Sequence, residues 1–179
     1  MPLPVGYLHQ KKDLGNGTIG SVQHYEVETM TAGADINFGV GVTVQNDQVI
    51  TANQAPIVGI AIKRDYVLGD DYTSIKNDHW VKGEKIGVLW QGAVAVPITA
   101  DVNRLDPATV NADGTFKPAE SGDKVVGRFI TAGDKDRTAI VHVNLTDMGT
   151  ENAGTTPSSP APSSGSDSGS GSPAPSTGH

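Results

Sequence analysis

The stretch KIGVLWQGAVAVPIT, residues 85–99, decides the fold class of this chain. Its β-branched and aromatic side chains favour a pleated sheet, because they pack well on a pleated surface and lose rotamer freedom in a helix. Gly87 and Gly92 permit a bulge or a close backbone approach, and Pro97 suits a strand end or a sheet edge. The stretch therefore predicts sheet at the centre of the chain.

Short segments of the same kind recur along most of the sequence and are separated by turn residues. Nine strands are predicted: Val22–Thr29, Phe38–Gln45, Gln48–Ala52, Pro56–Arg64, Lys85–Gln91, Ala93–Thr99, Thr115–Pro118, Lys124–Thr131 and Thr138–Leu145. Turns are expected at Asn46-Asp47, at residues 112–114 and at residues 133–136, and Asp113-Gly114 is the strongest hairpin signal. A helical turn is expected only at Ala100–Leu105. The pattern predicts an all-β domain of antiparallel hairpins without βαβ units.

Composition divides the chain into three parts, and the predicted β-domain covers residues 21–148. Residues 1–20 form an N-terminal arm in which Pro and Gly oppose regular structure. Five apolar side chains remain in that arm: Leu3, Val5, Tyr7, Leu8 and Leu14. Residues 149–179 consist almost wholly of Gly, Ser, Thr, Pro and Ala, which do not supply a core. We therefore expect an extended, disordered C-terminal tail or linker.

The apolar arm has two expected destinations. It packs back onto its own sheet, or it extends to a neighbouring chain as a strand or clamp. The sequence alone favours neither. In the second case the five apolar side chains of the arm contact that neighbouring chain.

Charge and composition exclude several classes of protein. The formal net charge of -7 and a pI near 5.0 argue against direct binding of nucleic acid, since such binding depends on many Lys and Arg contacts with phosphates. The chain has no cysteine, so disulfides and thiolate metal sites are excluded. The N-terminal sequence lacks the pattern of a secretory signal, and no apolar run is long enough to cross a bilayer. We expect synthesis in a cytoplasm and no membrane partner.

No pattern of residues points to catalysis, to a metal or to another cofactor. The histidines are scattered and lack the spacing of zinc ligands: His9, His24, His79, His142 and His179. Asp70-Asp71 and the pair Asp134 and Asp136 lack the ligand series of an EF-hand and are typical of solvated turns. No serine lies in a Gly-x-Ser-x-Gly elbow or beside a recognisable base. The chain is therefore predicted not to be an enzyme.

Several segments, taken in order, resemble phage head decoration or structural cement proteins. They are PIVGIAI at 56–62, VKGEKIGVLWQG at 81–92, VAVPIT at 94–99, DPATV at 106–110, DGTF at 113–116, KVVGRFI at 124–130 and AIVHV at 139–143. The resemblance extends over residues 20–145 and does not include the tail. The polar insertion Asp65–His79 also departs from the family pattern and is expected to form a loop of its own.

The resemblance implies a small antiparallel β-barrel or a β-tulip-like sandwich. It also implies a virion structural protein, often a homotrimer, on the outer surface of an icosahedral double-stranded DNA phage capsid. Such a protein braces neighbouring copies of the major capsid protein against internal DNA pressure and has no enzyme activity. The implied partners are the major capsid protein and further copies of this chain, and synthesis takes place in the host bacterial cytoplasm.

The two tryptophans are expected to have different roles. Trp80, beside His79 and Lys82, is a candidate for subunit or capsid contact, because Trp is enriched at interface hot spots. Trp90 and Phe129, on alternating strands, are expected in the core.

Two other functions compete with the cement role. An extracellular adhesion or carbohydrate-binding β-module on a Ser/Pro-rich stalk fits the tail, but it predicts a secretory signal and exposed aromatic rings that stack on sugars. A trimeric β-barrel hydrolase similar to dUTPases requires carboxylate and Gly-rich motifs that the sequence lacks. The cement role is therefore favoured.

Overall fold

The computed structural model describes residues 14–20, 24–64 and 79–145, so the expected tail and most of the N-terminal arm lie outside the described residues. The described residues form eleven strands and no helix. The strands are β1 (Glu26–Thr31), β2 (Ile36–Asn37), β3 (Gly41–Gln45), β4 (Gln48–Thr51), β5 (Gly59–Ala61), β6 (His79–Trp80), β7 (Lys85–Pro97), β8 (Pro107–Val110), β9 (Phe116–Pro118), β10 (Gly127–Phe129) and β11 (Thr138–Asn144).

Nine of these strands form one curled, half-barrel sheet in which all pairs are antiparallel. Its order is β4-β3-β5-β7-β11-β10-β8-β9, and β1 also pairs with β7. Strands β2 and β6 form a separate antiparallel pair. The prediction of an all-β antiparallel fold is therefore confirmed.

Strand β7 organises the sheet, because it is 13 residues long and pairs with three other strands. Its first half lies between β1 and β5, and residues 91–97 pair with β11. The sequence predicted two strands here, but the backbone continues through Gly92, which has a φ of +129°. Opposite β1 the register jumps from Glu26–Gln91 to Val27–Leu89, so Trp90 is the bulged residue. A bulge bends a strand and increases its twist.

The structure has turns at the predicted positions. Asn46 and Asp47 have φ values of 51° and 62° and connect β3 to β4, as a two-residue hairpin with positive φ at both positions requires. Gly114, with φ 77°, closes the hairpin between β8 and β9. Asp136, with φ 61°, lies in the turn before β11. Strand β8 was not predicted, and it pairs with β9 to form the Asp113-Gly114 hairpin.

The expected helical turn at Ala100–Leu105 is wrong. Val102 pairs instead with Gly133 through two backbone hydrogen bonds of 2.9 and 3.0 Å, and its side chain is buried. Leu105 has a φ of 78°, which ends any right-handed turn. A tertiary backbone pairing has overridden the local preference.

Two clusters of buried apolar side chains stabilise the sheet. The larger cluster joins the second half of β7 to β11, β10, β8 and β9, and its largest members are Phe116 and Phe129. The smaller cluster surrounds Phe38 and Trp80. Phe129 is in the core as predicted, whereas Trp90 is only partly buried and belongs to neither cluster.

Candidate functional site

The structure places the predicted contact residues in three different situations. Leu3, Val5, Tyr7 and Leu8 lie outside the described residues. Leu14 is exposed over 42% of its surface and precedes a turn in which the Thr18 N–H donates to the Gly15 carbonyl. Trp80 is only 3% exposed, so little of its indole is accessible to a second molecule. A contact role for these residues stays a prediction.

The described end of the arm packs on its own sheet. Gly17 donates to the Ala95 carbonyl at 2.7 Å, Ala95 donates to Thr18 at 2.9 Å, and Ile19 forms a bridge with Val94. The Gly17 carbonyl also accepts a hydrogen bond from the Lys63 N–H. Gly17 thereby connects the C-terminal half of β7 to the residues that follow β5. Residues 17–20 therefore follow the first of the two expected destinations.

Strand β1 is an edge of the sheet. It pairs with β7 on one side, and within the described ranges no strand pairs with its other side. Tyr25 and Val27 are exposed over 48% and 36% of their surfaces. An unpaired strand edge with exposed apolar side chains is a ready surface for another chain. Sequence reasoning missed this surface, although polar and apolar residues occur together on both faces of VETMT, residues 27–31, as is typical of an exposed edge strand.

A shallow depression lies beside this edge. It has a volume of about 180 Å³ and is lined by Glu28, Met30, Val58, Val88, Trp90 and Leu145. Pockets for small ligands usually measure roughly 300–1,000 Å³. The depression therefore matches the size of an inserted side chain better than that of a substrate, and partly buried Trp90 forms part of its wall.

The base of the 65–78 segment is held by a buried charge cluster, which we call the Arg64 clasp: Arg64, His79, Trp80 and Glu84. The Arg64 guanidinium donates to the His79 carbonyl and to Glu84 Oε2, each at 2.8 Å. Its carbon atom lies 4.5 Å from the centre of the Trp80 ring, in a cation–π arrangement. Glu84 Oε2 also accepts the Val81 N–H at 2.7 Å. The clasp thus fixes the chain on both sides of residues 65–78.

The possible metal-ligating side chains of the described part are dispersed. Within the described ranges, no three His, Cys, Asp or Glu side chains come together as a candidate metal site. His24 forms an exposed pair with Glu26 at 2.9 Å, and no third ligand accompanies it there. No helix of the described part is long and apolar enough to cross a membrane. The fold therefore defines a class: an all-β antiparallel domain whose strand β1 leaves one edge unpaired among the described residues.

Comparison with known proteins identifies the family. The family model of the structural cement proteins, typified by E217 gp24 and Pam3 gp6, matches residues 7–145. The chain belongs to this phage structural cement protein family, and its role is a structural one in the virion capsid.

A solved structure supports the same fold. The N base of head fiber gp8.5 from bacteriophage phi29 superimposes with a TM-score of 0.50 at 16% sequence identity, covering 68% of this chain and 95% of that one. At this identity the likeness concerns the fold alone. No curated protein sequence matches the chain.

Proposed function

We propose that the protein binds the outer surface of an icosahedral phage capsid and holds neighbouring major capsid proteins together against internal DNA pressure. The observation that carries this proposal is the family match over residues 7–145. The unpaired edge of β1, with Tyr25 and Val27 exposed on it, agrees with a contact function.

The mechanism is mass action on the assembled shell. Contacts that exist only on the expanded shell lower the free energy of that state by an amount that grows with the concentration of free protein. Each contact can be weak, because many copies act on one closed shell and a trimer engages it through several sites at once. A rigid β-domain suits this task, since little order is lost on binding.

The proposed assembly is a homotrimer whose subunits contact one another and the major capsid protein. The apolar arm residues Leu3, Val5, Tyr7, Leu8 and Leu14 are the proposed contacts, as apolar side chains on a Pro- and Gly-rich segment gain most by burial against a second chain. The edge of β1, with Tyr25 and Val27, is a second place where another chain can add a strand.

The test is binding of the purified protein to expanded capsids that lack it, with unexpanded capsids in parallel. Co-sedimentation measures binding, and the temperature at which shells rupture measures cementing. Saturable binding to expanded shells together with a raised rupture temperature is expected. Absence of binding to either form contradicts the proposal, and surface glycans are then the next partners to screen.

A pair of matched valines tests the edge of β1 in the same assay. Val27 and Val44 are both exposed, at 36% and 45%, but Val44 lies on the β3–β4 hairpin. Val27→Lys is expected to weaken trimer or shell binding, because a charge has to be desolvated at the edge. Val44→Lys adds the same charge elsewhere and is expected to bind as the unmodified protein does. Equal binding by both variants would exclude the β1 edge.

A further inference from the structure

The backbone of Leu105 is held in a conformation that a leucine disfavours. Its φ is 78°, in the left-handed region. The other described non-glycine residues with positive φ are Asn46, Asp47 and Asp136. Asn and Asp tolerate this region because their short polar side chains bond locally, and leucine has no such compensation.

The local hydrogen bonds explain why the backbone keeps this conformation. The Asn103 N–H donates to Asp106 Oδ2 at 2.8 Å, and the Asp106 N–H donates to the Asn103 carbonyl at 3.2 Å. Leu105 donates to the Phe129 carbonyl at 2.8 Å, and Phe129 donates back to the Asp106 carbonyl at 2.9 Å. The turn is therefore fixed to β10 from two sides, and any residue at position 105 has to adopt a positive φ.

The side chain of Leu105 buries little apolar surface within its own chain. It is 60% exposed, which makes it the most exposed of the large apolar side chains in the described part. Glycine would satisfy the same backbone without strain. A strained, exposed leucine on a rigid turn is explained by a use for the side chain outside its own chain.

The charges around Leu105 define the chemistry of its partner. Arg104 precedes it, and Arg128 lies on β10 opposite Pro107. Both arginines are exposed, and in the described part of the chain neither forms an ion pair. Asp106 keeps its negative charge, but its carboxylate faces the turn itself, where Oδ2 accepts the Asn103 N–H. The two exposed guanidinium groups beside the turn are set on a protein with a formal net charge of -7, so they favour a partner with carboxylates at the contact.

We propose that Leu105 is a preorganised anchor that inserts into an apolar socket bordered by acidic side chains on the surface of the capsid shell, with Arg104 and Arg128 facing those acids. This proposal rests on the proposed function and names the chemistry of its partner. A rigid apolar side chain loses little entropy on docking, and the arginines steer the encounter and set its orientation.

Leu105→Gly separates the anchor role from a role in folding. The variant is expected to raise the thermal unfolding midpoint by about 2 °C, because backbone strain is relieved. Its affinity for expanded shells is expected to fall by about 30-fold, as for the loss of a hot-spot side chain. Asp136→Gly is the matched control, since it also relieves a positive φ at an exposed turn. That control is expected to bind shells normally.

The charge of the partner is tested with Arg104→Glu and Arg128→Glu. Each is expected to weaken shell binding at low salt, with a deficit that shrinks as salt screens the repulsion. Lys82→Glu makes the same change of charge on the β6–β7 turn and is expected to leave binding unchanged. An equal effect of all three substitutions would show a general charge effect and overturn the acidic socket.

The outcomes distinguish this inference from the proposed function. If the unmodified protein binds shells and Leu105→Gly binds equally well, the anchor is overturned and the cement function stands. If Leu105→Gly lowers the unfolding midpoint, the side chain serves the fold and the anchor is overturned as well. If the unmodified protein binds no shell, the proposed function fails and the anchor fails with it.

Discussion

Arg64 is buried to 5% exposure, and no other charged residue in the described part of the chain is buried to that degree. Its counter-ion is less enclosed, since the side-chain exposures of Arg64 and Glu84 are 2% and 22%. Removing one member of a buried ion pair is costly because the remaining charge stays in a poorly solvated place. The burial of the two partners is unequal, so the two deletions are expected to differ in cost.

Glu84→Gln is therefore expected to destabilise the fold more than Arg64→Met. The first removes the charge of the Glu84 carboxylate from beside the buried guanidinium and is expected to cost about 3–5 kcal/mol. The second leaves Glu84, which water reaches and which still accepts the Val81 N–H, and it is expected to cost about 2 kcal/mol less. Urea unfolding of both variants measures the difference. Equal costs would contradict the asymmetry, and the double variant gives the coupling energy.

Asp123 makes a smaller, pH-dependent contribution at the surface. A hydrogen bond from the Glu120 backbone N–H, and then the ion pair with Lys117, hold the pKa of Asp123 below its ordinary value of 3.8. A lowered pKa means that the folded state prefers the charged form, so this stabilisation is present at neutral pH. It disappears as the pH falls through 3.8 towards the lowered pKa.

Asp123→Asn is accordingly expected to be less stable than the unmodified protein at pH 7, and equally stable in strong acid. Solvent screens the site, so the difference is about 0.5 kcal/mol. Unfolding curves measured from pH 7 down to pH 2 test this. Lys117→Met keeps the larger interaction, with the Glu120 backbone, and is expected to lose only part of this pH-dependent stabilisation. A difference that persists in strong acid would assign the effect to the side-chain shape.

At the scale of the element, the bulged part of β7 brings Gly92 against Tyr25, the residue before β1. A Cβ atom at Gly92 would lie 2.8 Å from the Cβ atom of Tyr25, and the φ of +129° is unfavourable for any other residue. Gly122 has a φ of +95°, and a Cβ atom added there would meet no atom within 4 Å, so this position isolates the cost of φ alone.

Gly92→Ala is expected to destabilise the fold by about 3 kcal/mol and to loosen the start of β1, because strain and overlap add. Gly122→Ala is expected to cost about 1 kcal/mol. Thermal unfolding gives both values, and amide hydrogen exchange at Tyr25–Val27 reports the loosening. Similar costs for the two variants would mean that the start of β1 moves freely away from Gly92, contrary to the expected overlap with Tyr25.

The elements also show how much of the fold was predictable. Period-two patterns and turn residues suffice for the hairpins, since Asn46-Asp47 and Asp113-Gly114 act locally. They do not distinguish one bulged strand from two, because Gly92 breaks the apolar pattern while the hydrogen bonds to β11 continue across it. Val102 and Leu105 escape local prediction because their pairing with Gly133 and Phe129 depends on distant residues.

The candidate surfaces were less predictable than the fold. The polar neighbours of Trp80 suggest a contact residue, yet its indole N–H donates to the Ile62 carbonyl and its ring packs on Phe38 and Arg64. Nothing in the sequence singles out Leu105, because its positive φ is imposed by hydrogen bonds to Phe129 that no local pattern reveals. Exposure and strain are tertiary properties, whereas the apolar arm is visible from composition alone.

At the scale of the whole molecule, the described core is formed by the central part of the chain. Both clusters of buried side chains consist of residues between 19 and 145. Residues 17–20 complete the edge of β7 through backbone hydrogen bonds, so this part of the arm belongs to the domain. Folding and assembly are therefore expected to respond differently to truncation at either end.

Deleting residues 1–13 is expected to leave the unfolding midpoint within about 2 °C of the full chain, because the described core is retained. The same deletion is expected to abolish trimer formation and shell binding, since four of the five proposed apolar contacts are lost. Sedimentation equilibrium measures trimer formation, with a mass of 18.6 kDa for one full-length subunit as the reference. Co-sedimentation with expanded shells measures shell binding. Deleting residues 149–179 is the matched control, because a tail of that composition buries little apolar surface, and normal assembly is expected. A trimer that survives loss of the arm would move the subunit contact to the β1 edge, where Val27→Lys tests it directly.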